Sequence, residues 1–181
     1  MLIGITGTNG AGKGAVVEYL VASKGFSRYS GRSIILEAMT ARGLPAKRGA
    51  MRDVANELRK EHGPAYIIEK LYEMAKDDTN AVLESVRTIG EAEYLKEKGA
   101  RIIAVDADKQ TRYERVASMN HDEEPLSFQD FMIMEEREMA SSEPWDMNVF
   151  GVMQMADARV MNDGTLEELH AKIDEALASF K

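Results

Sequence analysis

The run Gly7-Thr8-Asn9-Gly10-Ala11-Gly12-Lys13 sets glycines and one lysine where an anion can be held. It fills the opening positions of the phosphate-binding pattern G-x-x-x-x-G-K-[ST]. Glycines let backbone N–H groups turn inward around an anion, and the start of a following helix adds partial positive charge. Lys13 adds a point charge able to reach β- and γ-phosphates. The plain alternative is a glycine-rich turn that binds nothing. Against it stands the coincidence of these residues with an apolar strand before them and a helical stretch after them. The pattern is also incomplete. Gly14 stands where Ser or Thr would offer Mg²⁺ a hydroxyl, and Ala15 follows. Either the metal is held through water and the nucleotide's own phosphates, or turnover is compromised.

The elements that must position this loop alternate short apolar runs with longer amphipathic stretches, as βα units do. Strands are expected over Leu2–Thr6, Phe26–Ser30, Ala81–Leu83 with Glu84 at its end, Ile102–Val105 ending at Asp106, and Asp157–Met161. The fourth is apolar without alternation, as parallel strands covered on both faces are. Helices are expected over Lys13–Lys24, Ser33–Arg42, Met51–His62, Ala65–Lys76 and Glu91–Lys98, most of them ended by Gly or Gly-Pro. Helical stretches then run from about Lys109 to Met155, broken at His121–Pro125 and Ser142–Pro144. Thr165 with Glu168 forms a capping box before a last helix to Phe180. No repeat or linker divides the chain, so residues 1–181 are read as one doubly wound α/β domain.

Composition narrows the classes of function. The 181 residues hold 23 Lys and Arg against 31 Asp and Glu, a net charge of −8. That balance disfavours a general nucleic-acid binder, which needs basic patches, but a local pocket can still oppose it. With no cysteine, disulfides, thiolate metal sites and cysteine nucleophiles are excluded. The glycines and Lys13 come too early for a signal peptide, and no apolar run approaches the roughly 18 residues of a spanning helix. A cytoplasmic protein without a membrane or nucleic-acid partner is expected, as a monomer or homodimer.

The loop from Gly4 to Ala15, the stretch around Met51–Gly63, Glu84-Ser85-Val86-Arg87, Ala156-Asp157 and Asn162-Asp163-Gly164-Thr165 together resemble the P-loop nucleotide kinases of the adenylate kinase and dephospho-CoA kinase type. The resemblance covers essentially the whole chain, with the phosphate loop its most specific part. It implies a three-layer α-β-α P-loop NTPase fold, with a five-stranded parallel sheet in the order 2-3-1-4-5 and a helical lid about residues 112–140. It implies ATP and Mg²⁺ as cofactors. Gly7, Thr8, Asn9, Gly10, Ala11, Gly12, Lys13, Gly14 and Ala15 would hold the donor phosphates, and Asn162 and Gly164 would border the adenine. Glu84 would order Mg²⁺-bound water; its other reading is a helix cap. Arg87 would clamp the acceptor phosphate. Arg112 and Arg115 would open the lid and reach the phosphates, or lie solvated and paired with acids such as Glu114. Where a third lid arginine is expected, this chain has Met119.

The acceptor is argued from an absence. A kinase acting on a hydroxyl usually wants a carboxylate to take its proton. After the second strand the chain reads Ser27-Arg28-Tyr29-Ser30-Gly31-Arg32-Ser33, with no acid before Glu37. A phosphate acceptor, ionised at neutral pH, needs clamps instead, and Arg28, Arg32 and Arg87 are candidates. Arg32 also reads as a surface residue at a helix start. A nucleoside monophosphate is therefore the expected acceptor, with dephospho-CoA as the runner-up. A nucleotide-binding regulator with little turnover is the rival class. Asp106 and Asp108 could approach the metal or cap the following helix, and the cap is the reading taken; Glu135-Glu136-Arg137-Glu138 is read as a solvated helix face, and His62, His121 and His170 as surface residues. Eight of the 12 methionines fall between Met119 and Met161, which marks an adaptable, helical region.

Overall fold

A computed structural model describes residues 1–119 and 126–180. Strands β1 (Leu2–Gly7), β2 (Ser27–Ser30), β3 (Ala81–Glu84), β4 (Arg101–Asp106) and β5 (Ala158–Met161) pair in parallel, in the order β2-β3-β1-β4-β5. The expected order and all five strands are present, with ends shifted by a residue or two. The loop-bearing strand β1 is central, between β3 and β4.

Helices cover both faces of the sheet. α1 (Lys13–Lys24) and α9 (Leu166–Ser179) lie on one; α4 (Tyr66–Ala75), α5 (Ile89–Glu97) and α8 (Val149–Gln154) lie on the other. The strand period of two explains the division. Ile3, Ile5, Ile103, Val105 and Val160 point to α1 and α9, where Val16, Val17, Leu20, Leu169 and Ile173 receive them. Leu83 and Ile102 point the opposite way, onto Ile68, Leu71, Leu95 and Val152. Each such side chain, withdrawn fully from water, contributes on the order of 1.5–3 kcal/mol. A two-faced core of this kind fixes the strand register, because a one-residue slip would turn every apolar side chain to the wrong layer.

α2 (Gly31–Ala41) and α3 (Arg48–His62) form a smaller cluster beyond the β2 edge, around Met39, Val54 and Leu58. α6 (Lys109–Met119) and α7 (Phe128–Met139) follow β4. The break expected at Ser142–Pro144 separates α7 from α8, whereas that at His121–Pro125 lies outside the described residues, as do His121 itself and the middle of the expected lid. Among the described residues, no helix is long and apolar enough to cross a membrane. The Thr165–Glu168 capping box starts α9, and an equivalent box of Thr88 with Glu91 starts α5, two residues before the expected start at Glu91.

Candidate active site

The phosphate loop sits where β1 ends. Gly7 turns with φ 134°, and a Cβ there would overlap the Val105 carbonyl of the neighbouring strand. Gly12, at φ 89°, is the N-cap of α1; a Cβ would overlap the Asn162 side-chain amide. Among the described residues no side chain caps α1, and its first turn carries no acid. With no such cap competing for this helix start, the helix dipole favours an anion there. Lys13 Nζ donates to the carbonyls of Gly7 at 3.0 Å and Thr8 at 2.6 Å, folded back along the loop. The Thr8 hydroxyl donates to Asp106 at 2.5 Å, tying the loop to the end of β4. Asn9 and Gly10 are half-buried, and Ala11 is fully buried against the core. Gly14 is exposed, with open space around the place a Cβ would take, and Ala15 packs against the core.

A set of residues from distant segments buttresses this loop. The Asn162 amide donates to the Ala11 carbonyl at 2.9 Å. Arg115 donates to the carbonyls of Asn162 at 2.9 Å and Gly10 at 3.5 Å. Arg112 donates to the carbonyls of Ala107 at 2.9 Å and Asn9 at 3.4 Å, and its guanidinium grips Glu135. Arg112 is 3% exposed and Glu135 7%. The solvated reading fails for Arg112, which is buried on Glu135, while Arg115 is half-buried against the loop and Glu114 instead accepts from Gln110. Arg112 Nε also lies 3.5 Å from Asp106, so this buried guanidinium joins Glu135, Asp106 and the loop. Asp108 accepts from the backbone N–H groups of Gln110 and Thr111 and so begins α6. Gly164 lies in the exposed turn after β5, where a Cβ would overlap the Glu168 capping carboxylate. Asp163 of the same turn accepts from the Asp108 N–H at 2.7 Å.

Across β1 lies the other half of the site. Glu84 ends β3 and pairs with Arg28 of β2. Ser85 follows with φ 69°, a left-handed conformation that costs a non-glycine residue of order 1 kcal/mol or more and clusters at functional sites. Arg87 is half-buried and held by its backbone: its N–H donates to Glu91 at 2.7 Å, and its carbonyl accepts from Asn148 N–H at 2.9 Å. Its guanidinium lies 3.6 Å from Glu138. Glu91, fully buried, also accepts from Arg59 at 2.9 Å. Arg52 of α3 bonds Asp146 at 3.0 and 3.1 Å, and Asn56 bonds the same carboxylate at 2.8 Å. Burial pushes the Asp146 pKa up, but the hydrogen bonds from Asn56, Met147 N–H and Arg52 outweigh it and hold the group below its ordinary 3.8. Arg32 is exposed at the start of α2.

Two expectations need correction here. Glu135 and Glu138 are not a solvated helix face: one is buried on Arg112, the other turned to Arg87. Residue spacing along α7 alone could not show which face meets the loop. His170 is half-buried and stacked on Tyr19 with centroids 3.9 Å apart, while His62 is exposed as expected. Arg52, Asn56, Glu91, Glu138 and Asp146 were not anticipated at the site; only Thr88-x-x-Glu91 carried a readable signal, the capping-box spacing. Among the described residues no three His, Asp or Glu side chains are grouped to hold a metal. Glu84 and Asp106 nonetheless end the strands on either side of β1. Those carboxylates suit an Mg²⁺ that keeps most of its waters and is carried by a nucleotide.

A parallel sheet in this order, with a glycine-lysine loop running from its central strand into a helix, defines a nucleotide-binding, P-loop kinase-like fold. More particularly, the chain belongs to the AAA domain family, whose pattern matches residues 3–146. A UPF0200 protein of Thermococcus sibiricus is 28% identical over 182 residues, spanning 96% of this chain and 92% of its own. One from Methanococcus vannielii is 28% identical over 181 residues, spanning 97% and 94%. Among solved structures, TT1252 of Thermus thermophilus aligns with TM-score 0.63 at 20% identity, covering all of this chain and 98% of its own. Shikimate kinase of Aquifex aeolicus aligns with TM-score 0.58 at 19% identity, covering 99% and 97%. A gluconokinase of Sinorhizobium meliloti aligns with TM-score 0.61 at 13% identity, covering 98% and 91%.

Proposed function

We propose that this protein is an ATP-dependent kinase that moves the γ-phosphoryl group to a small phosphorylated acceptor, a nucleoside monophosphate. One observation carries the proposal: the uncapped start of α1 with Lys13 faces the same strand-end edge as Arg87. Donor phosphates would lie on the loop N–H groups and Lys13, and the acceptor phosphate against Arg87, with Arg52 close by and Arg32 at the rim. Arg115, which donates to the Gly10 and Asn162 carbonyls, would neutralise charge on the donor. Arg112, held on Glu135 and on the Asn9 carbonyl, would brace the donor loop from behind. Asn162 and Gly164 would border the base.

An acceptor phosphate oxygen forms the new P–O bond as the bond from the γ-phosphorus to the β–γ bridging oxygen breaks, and ADP leaves with that electron pair. A phosphate dianion has no proton to surrender, so the step needs positioning and charge neutralisation more than a base. Bound with the nucleotide, Mg²⁺ would supply further neutralisation, with Glu84 orienting its waters. Asp146 on the acceptor side is already engaged by Arg52, Asn56 and the Met147 N–H. The test is ATP consumption across nucleoside monophosphates and dephospho-CoA. Turnover with dephospho-CoA alone would overturn the proposal, as would tight ATP binding with no transfer to any acceptor, the behaviour of a regulator.

A further inference from the structure

A strap of chain from the end of α7 to the start of α8 crosses the acceptor side. Its Arg137 carbonyl accepts from Arg52 at 3.4 Å, and its Asp146 accepts from Arg52 and Asn56. Glu138 lies 3.6 Å from the Arg87 guanidinium, and Asn148 N–H donates to the Arg87 carbonyl at 2.9 Å. The arginine of α3 and the arginine after β3 thus both face carboxylates of one segment. We propose that Glu138 and Asp146 are positioning residues that stand in for the acceptor's phosphate, making the strap a latch that the acceptor displaces. This rests on the monophosphate reading above.

Physical grounds support the exchange. A planar guanidinium offers the same fork of N–H donors to a carboxylate as to a phosphate. An acceptor dianion carries more charge than either carboxylate, so it competes favourably for the same donors. The pairs differ in how accessible they are. Arg52–Asp146 side chains are 28% and 21% exposed, and Arg87–Glu138 21% and 15%. Arg59–Glu91 is only 2% and 0% exposed, and Arg112–Glu135 3% and 8%. The first two can trade partners with a ligand from solvent; the last two are locked into the fold. There is also room for movement. α7 borders a cavity of about 660 Å³ that reaches Thr8 and Asp106 beside the phosphate loop and is walled in part by Met132, Met139 and Met153. Flexible methionines repack readily around a helix that shifts. A latch of this kind lowers apparent affinity by the fraction of molecules already open.

Trp145, the single tryptophan, precedes Asp146 and is half-buried with Lys60 over its ring, so its emission reports the strap. The test measures KM, kcat and Trp145 emission with AMP, CMP, GMP and UMP for wild type, Glu138→Gln and Asp146→Asn. The responding monophosphate should show a KM lowered about two- to five-fold in each variant, the range expected when one part-exposed ion pair is removed. Emission of ligand-free Asp146→Asn should move toward that of monophosphate-bound wild type. Glu175→Gln, exposed on α9, should leave KM unchanged. An unchanged or raised KM in both variants overturns the latch alone. So does a fall in kcat at constant KM, which would put the carboxylates in the chemistry. If no monophosphate binds wild type or either variant while ATP does, the acceptor reading falls, and the latch with it.

Discussion

Glu91 offers the sharpest perturbation, because one buried carboxylate joins stability to the placement of Arg87. One of its oxygens accepts from Arg59 Nε at 2.9 Å; the other accepts from the N–H groups of Arg87 at 2.7 Å and Thr88 at 3.2 Å. Both charges are out of water, with Arg59 3% exposed and Glu91 0%. Glu91→Gln keeps the shape but strands the Arg59 charge, and breaking a buried pair in this way costs about 3–5 kcal/mol. At about 2–4 °C per kcal/mol for a chain of this size, the melting temperature should fall by roughly 6–20 °C. Thr88→Ala removes the cap to the Glu91 N–H and the hydroxyl's bond to the Pro64 carbonyl at 2.9 Å, yet strands no charge, so it should cost less, about 1–3 kcal/mol. Urea unfolding of Glu91→Gln, Arg59→Met and the double variant reads the coupling, since the double variant should lose less than the two single losses summed. Because the same carboxylate anchors the Arg87 backbone, Glu91→Gln should also raise the acceptor KM at temperatures where it stays folded. A loss below about 1 kcal/mol, or additive losses, would refute a charged, coupled pair.

Further outcomes follow from other features of the site. Gly12→Ala forces an alanine to φ 89° and pushes on the Asn162 amide. The left-handed backbone costs about 1–2 kcal/mol and the lost Asn162–Ala11 bond about 0.5–1.5, so the melting temperature should fall and ATP affinity with it, as calorimetric titration would read. Ala15→Thr restores a hydroxyl beside the lysine and should lower the Mg²⁺ concentration giving half-maximal activity; an unchanged Mg²⁺ titration would mean that no hydroxyl is wanted there. For Asp157, burial raises the pKa, but the Ile102 N–H, Lys96 and Arg101 outweigh it and hold the group below 3.8. A depressed carboxylate stabilises fully above its ordinary value, and that part is lost as pH falls through the folded value. Asp157→Asn should therefore narrow the gap in melting temperature between pH 7 and pH 3.

Much of the fold is legible along the chain because its signals are local. Uninterrupted apolar runs mark strands buried on both faces, glycines mark helix ends, and Thr165 with Glu168 marks the start of α9. The phosphate loop is legible for the same reason: its glycines and lysine are contiguous. Its buttress is not. Asn162 reads as part of a turn, and nothing near it says that its amide reaches Ala11, far away in sequence. Glu135 and Arg112, 23 residues apart, meet only because α7 folds back over α6. The acids near Arg87 escape notice because an Asp or Glu on a helix reads as solvated until the face it shares with another helix is known. Thr88 and Glu91 are the exception, since their spacing matches that of Thr165 and Glu168.

The central claim is transfer between phosphates on a loop that lacks the usual hydroxyl. Single-turnover mixing of excess protein with γ-labelled ATP and each nucleoside monophosphate in turn measures it directly. The label should appear in the diphosphate of one monophosphate class, in at least stoichiometric preference to free phosphate, and Lys13→Met should abolish that transfer. Label that stays in ATP, or goes only to water, with every monophosphate would contradict the account.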